Sequence, residues 1–148
     1  MERIALLAVL FTTGCGGDSP TESVTESVVT PFAVNITASL TSESFNEVTN
    51  RFECQYILAA TATGGQTGDN AAWTSGEVEI RLDSGTTQTF ILSSVDMQDF
   101  WGSDRLASGT TQTATRFAFH PAGVFAMAHT FRLTFPDGSD RSISAFTC

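Results

Sequence analysis

The sequence predicts an all-β fold, an antiparallel β-sandwich of about seven strands with one short helix, and three observations predict it. From Phe32 onward apolar and polar residues alternate with a period of two, as in strands with one buried and one wet face. Two tight-turn triplets, Asp83-Ser84-Gly85 and Pro136-Asp137-Gly138, separate such runs. The composition agrees, because 22 Thr and 15 Ser accompany 12 Phe, a set that favours strands over helices. A length of 148 residues holds one globular domain and little else.

The chain opens on targeting sequence. Arg3 precedes an unbroken apolar run from Ile4 to Phe11, far short of the roughly 20 residues that span a bilayer as a helix. Thr12-Thr13-Gly14-Cys15 follows, and it resembles the lipobox of bacterial lipoproteins, with Thr12 where that family usually has Leu. The resemblance implies that residues 1–14 are a signal peptide and that cleavage exposes Cys15 for acylation, palmitate included. Gly16, standing where an Asp would signal inner-membrane retention, implies the outer membrane of a bacterial envelope. A membrane reached through lipid is therefore the first expected partner. Residues 15–31, the acylated Cys and its linker, carry Thr21-Glu22-Ser23-Val24 and then Thr25-Glu26-Ser27-Val28. Such a stretch buries too little apolar surface to offset its ordering entropy and is expected to be a flexible tether. By random-coil scaling it holds the domain roughly 20 to 25 Å from the anchor.

Residues 32–148 are the expected sandwich domain. Phe32, Val34, Ile36, Ala38 and Leu40 share one face of the first strand; Phe52, Cys54, Tyr56, Leu58 and Ala60 share one face of the second. Glu77 to Leu82 alternates most cleanly, and Asp83-Ser84-Gly85 turns it into Thr87 to Leu92. Thr113, Thr115, Phe117 and Phe119 are expected to face inward on the next strand, which His120-Pro121 ends. Phe125, Met127, His129, Phe131, Leu133 and Phe135 form the longest run, followed by Arg141 to Cys148. On this phase most Phe residues are core. One helical piece intervenes: Ser94 offers an N-cap, Asp96 and Asp99 suit the first turns, Gly102 stops it, and Met97, Phe100 and Trp101 lie at helical spacing. Ser84-Gly85-Thr86-Thr87-Gln88-Thr89 recurs at Ser108 to Thr113, each copy feeding a Thr-rich strand from a turn.

Charge and residue type exclude several functions. Sixteen acidic residues against seven basic ones give a net charge of −9, which repels nucleic acid. All seven cations are Arg, so Schiff-base chemistry and the phosphate-loop lysine are absent. No Gly-x-Ser-x-Gly elbow accompanies the fifteen Ser. His129 sits in the inward phase and is expected to bond a backbone group; His120 with His129 and Met127 lacks the thiolate that a blue-copper site adds. No catalytic residue, metal site or cofactor is expected. The segments without strand pattern, Thr63 to Ala71 and Val95 to Gly109, are where recognition of a protein or carbohydrate belongs. Within the second, Trp101 and Phe100 with Asp99 and Asp104 are the candidate ligand contacts, although Asp96 and Asp99 also serve the helix start and Asp104 can pair with Arg105.

Cys54, Trp73 and Cys148 give the domain a likeness to the immunoglobulin-like sandwiches, which place a Cys on the second strand and a core Trp on the third. Here Cys148 ends the last strand, a departure from the antibody pattern. The resemblance, with Cys15 assigned to lipid, implies that Cys54 and Cys148 pair in an oxidising compartment unless they stay reduced. Such folds host adhesion, recognition and inert spacing alike. The expected function is a displayed, non-catalytic interaction or structural module. The alternative is a carrier of a small apolar ligand or carbohydrate, and a deep apolar cavity between the sheets is what distinguishes it.

Overall fold

The computed structural model describes residues 29–120 and 124–147. The expected signal peptide, Cys15, most of the linker and Cys148 lie outside the described residues. The described strands are β1 (Ala33–Asn46), β2 (Arg51–Thr63), β3 (Asn70–Leu82), β4 (Thr87–Leu92), β5 (Arg105–Ala107), β6 (Thr111–His120), β7 (Val124–Thr134) and β8 (Asp140–Thr147), with helix α1 (Ser94–Trp101) between β4 and β5. All pairings are antiparallel: one sheet has the order β1-β2-β6, the other β4-β3-β7-β8, with β5 on the first part of β3. This is the expected immunoglobulin-like sandwich. Its additional strand is the three-residue β5, too short to leave an alternation in the sequence.

Local chemistry fixes the turns. In Asp83-Ser84-Gly85 the Gly85 N–H donates to Leu82 C=O (2.8 Å), Leu82 N–H donates to Thr86 C=O (2.9 Å), and Gly85 takes φ 82°. Pro136-Asp137-Gly138 repeats the arrangement, with Gly138 donating to Phe135, Phe135 donating to Ser139, and φ 77° at Gly138. Both are three-residue hairpins that end on a left-handed residue, which glycine adopts without steric cost. The helix starts one residue earlier than the sequence suggests. Ser93 is the N-cap: its Oγ accepts from Asp96 N–H, and the Asp96 carboxylate accepts from Ser93 N–H (2.7 Å) in a capping box. Gly102, at φ 75°, ends it as expected.

Inward residues of β2 and β7 match the predicted alternation. Cys54, Tyr56, Leu58, Ala60, Met127, His129, Phe131 and Leu133 are all buried. The phase of β6 is the reverse of the expectation. Ala114 and Ala118 point inward, opposite Leu58 and Cys54, while Phe117 (57% exposed) and Phe119 (53%) stack on each other outside. The reason is α1, whose Phe100 and Trp101 fill the space that large β6 side chains would otherwise take. Leu40 also departs, half-exposed where a bulge between Leu40 and Ser42 resets the register of β1. Nor is Phe generally core, since Phe45, Phe90 and Phe146 are exposed as well.

Candidate functional site

A cleft lies at the pole where the chain enters the domain. Its volume is about 460 Å³, and its walls come from Thr30, Phe32, Gln66, Asp69, Phe135 and Arg141, among others. The loop after β2 supplies one wall and the β7–β8 hairpin the other. Gly65 N–H donates to Thr30 C=O (2.7 Å), so the entering segment is tied to that loop. Gly64, at φ 67°, admits no side chain, because a Cβ there would lie 2.1 Å from Pro31 C=O. Phe32 packs edge-on against Phe135 at 5.6 Å, and the Arg141 guanidinium lies over the Phe135 ring, 4.2 Å from its centroid.

The polar groups of the cleft are engaged in holding it together. Asp69 accepts from Gln66 N–H (2.8 Å). Asp137 accepts from Ser139 Oγ (2.6 Å) and N–H (2.9 Å) and from Arg141 Nη2 (2.9 Å). Those hydrogen bonds, the Ser139 hydroxyl first, hold the Asp137 carboxyl below the usual range. The arrangement offers an aromatic floor, one guanidinium and two carboxylates. That suits recognition of a polar chain or side chain and brings no nucleophile, base and acid together.

The candidate contacts predicted around Trp101 do not form an exposed cluster. Trp101 is buried and stacks on Trp73 at 4.9 Å and 10°, so neither ring presents a face to a sugar. Trp73 Nε1 donates to Gln112 Oε1 (3.0 Å), while Trp101 Nε1 is buried with no partner among the described residues. Phe100 is half-buried and carries Arg116 over its ring at 4.0 Å; Arg116 also donates to Phe100 C=O. Asp99 is exposed, and Asp104 pairs at the surface with Arg105 (3.7 Å). The predicted loop Thr63 to Ala71 does contribute, since Gly65, Gln66 and Asp69 line the polar cleft. Its partner wall was not foreseen, because Phe135 and Arg141 read from sequence as core and strand residues. Only the Pro136-Asp137-Gly138 turn signalled that they meet at an end.

His129 is inward, as its phase requires, but it bonds no backbone group among the described residues. Both ring nitrogens are buried without a hydrogen-bond partner among the described residues. The ring stacks on Phe131 at 5.8 Å and 11°, with Tyr56 at 5.3 Å and Phe100 at 6.1 Å. Burial first, and the Arg116 charge second, push its pKa down to about 4. No group of three or more His, Cys, Asp or Glu among the described residues is placed to hold a metal ion. No helix among the described residues is long and apolar enough to cross a membrane.

Fold and cleft together define an immunoglobulin-like antiparallel sandwich with a filled inter-sheet core and polar poles. No protein-family model matches the chain, and no curated protein matches it. Solved structures share the architecture. A Bordetella pertussis protein given the name ApaA superposes with a TM-score of 0.56 at 18% identity, covering 79% of this chain and 90% of its own. A second structural-genomics target, solved by X-ray, gives 0.55 at 12% identity, covering 80% of this chain and 84% of its own. At these identities the likeness is one of all-β fold.

Proposed function

We infer that this chain is a lipid-anchored envelope protein that displays a non-catalytic sandwich domain as an interaction or structural module, held from an outer membrane by acylated Cys15. The observation that carries the module reading is the filled space between the sheets. Trp73, Trp101, Phe100, Phe131 and His129 pack ring on ring there, with centroid separations from 4.9 to 6.1 Å. A carrier needs that volume for its ligand. The loop-and-hairpin cleft is the surface where a protein or carbohydrate partner is proposed to bind, through Gln66, Asp69 and Arg141 over an aromatic floor.

Two measurements test the reading. Fractionation of cells expressing the parent and Cys15→Ser should find the parent in the membrane pellet and the variant in the soluble fraction; an unchanged distribution overturns the anchor. Titration with an apolar fluorescent probe should give no saturable binding to the folded domain. Stoichiometric, saturable binding overturns the module in favour of the carrier.

A further inference from the structure

We propose that two copies of this chain associate by antiparallel pairing of their β4 strands, which joins the β4-β3-β7-β8 sheets of both into one continuous sheet across a two-fold axis. β4 ends its sheet, and its residues from Thr87 to Ile91 are all exposed. Helix α1 packs chiefly over β3 and leaves this edge open. An open edge of unpaired backbone groups is a template for another strand, and sandwiches ordinarily protect it with charge, proline or a bulge. β4 has none of these. Among the described strands it alone contains no Asp, Glu or Arg, and its sequence is Thr-Gln-Thr-Phe-Ile-Leu.

The hydrogen-bond phase specifies how the pairing runs. Leu82 N–H donates to Thr86 C=O, and the register pairs Arg81 with Thr87. Antiparallel pairs alternate between bonded and non-bonded, so Gln88, Phe90 and Leu92 turn their N–H and C=O to β3. Thr87, Thr89 and Ile91 turn theirs to the open edge. A two-fold axis through the Thr89–Thr89 pair uses every one of those groups, because Thr87 then exchanges both bonds with Ile91 of the other copy, and Ile91 with Thr87. Side chains agree with that register. Ile91 (70% exposed) packs beside Thr87 on the outer face, and Phe90 (50%) beside Gln88 on the inner face.

The acidic chain tolerates a second copy here. Within the sheet the carboxylates beside β4 are Glu77 and Glu79 on β3, one strand behind the edge, while Asp83 and Asp96 lie beyond its two ends in the turn and the helix. Across the axis the two β3 strands are three strand spacings apart, about 14 Å, beyond the Debye length of about 8 Å at physiological ionic strength. A partner bearing its own charges would gain nothing from an edge that has none, which favours a second copy. One strand pair buries less than the roughly 800 Å² per partner of a standard interface, so the association is concentration-dependent.

The test uses the full chain in cells with a membrane-permeant oxidant, read on a non-reducing gel beside the parent. Directly opposed residues lie about 5.5 Å apart at Cα, within disulfide reach, so Thr89→Cys should give a covalent dimer. Gln88→Cys should not, because its counterpart sits two residues out of register, beyond about 7 Å. Sedimentation of the purified parent should show a monomer–dimer equilibrium that Thr89→Pro removes. Proline there deletes only an outward N–H, so the β3–β4 ladder survives. No dimer from Thr89→Cys, equal dimer from both variants, a heavier mixed adduct with another protein, or a parent monomeric at every concentration overturns the proposal.

Discussion

His129 shows how a single residue connects sequence phase to pH behaviour. Its alternation with Phe131 and Leu133 made the inward direction legible, whereas the absence of a partner was not, since that depends on Tyr56 and Phe100 arriving from other elements. An unpartnered buried imidazole stays neutral, and its pKa falls from 6.5 to about 4. The unfolded chain therefore holds more protons across that interval. Stability falls as pH drops from about 6.5 to about 4, by up to about 3 kcal/mol. Among the described residues Tyr56 and Arg116 are the titratable groups that act on the ring; Tyr56 is pushed up to about 12 by burial and stays protonated, and Arg116 stays charged. Asp96 and Asp137, both held below 3.8, lose their stabilising contribution only at lower pH. Urea midpoints at pH 7 and pH 4.5 should separate widely for the parent and little for His129→Leu. An equal separation in both would remove His129 as the cause.

At the scale of elements, β6 was visible as a strand and misread as a face. Thr113, Thr115, Phe117 and Phe119 look apolar enough to be inward, and period-two pattern alone does not assign a phase when one face carries Thr and Phe and the other Ala, Gln and Arg. The deciding fact is non-local: α1 packs against the inner face, where Ala114 and Ala118 are small and Arg116 lies over the Phe100 ring. β2 and β7 were legible because their outward positions, Ile57 apart, are mostly polar or small. The prediction for this element contrasts neighbours. Ala118→Phe forces a large ring against buried Cys54, an overpacking that costs about 1 to 3 kcal/mol. Phe119→Ser removes a half-exposed ring and should cost no more than about 1 kcal/mol. Thermal melts of both variants check the phase, and a larger loss from Phe119→Ser would reverse it.

For the whole molecule, strand order explains which ends meet. β2 starts at Arg51–Phe52, and Phe52 pairs with His120 at the end of β6; β7 starts at Val124, opposite Leu82. β8 ends at Thr147, opposite Met127 near that same start. The beginning of β2 and the end of β8 thus share the pole opposite the polar cleft. Chain order and seven of the eight described strands were readable from the sequence, β5 being too short to leave a pattern, but the crossing from one sheet to the other was inferred by likeness to immunoglobulin-like domains. The sharing of a pole supports the proposed Cys54–Cys148 disulfide. Cys54 is buried on β2, and Cys148 follows Thr147 just outside the described residues. The bond would close a loop of about 94 residues, for which chain entropy alone gives roughly 4 to 5 kcal/mol, often less in practice. It would tie the β1-β2-β6 sheet to β8 of the other sheet. Because a domain is stable by only about 5 to 15 kcal/mol, its loss should be plain in a melt. Non-reducing peptide mapping of the exported chain should recover the two cysteine peptides joined, and Cys148→Ser should lower the urea midpoint as much as reduction of the parent does. Two free thiols in the exported protein, or a midpoint indifferent to reductant, would leave the sandwich held by its aromatic core alone.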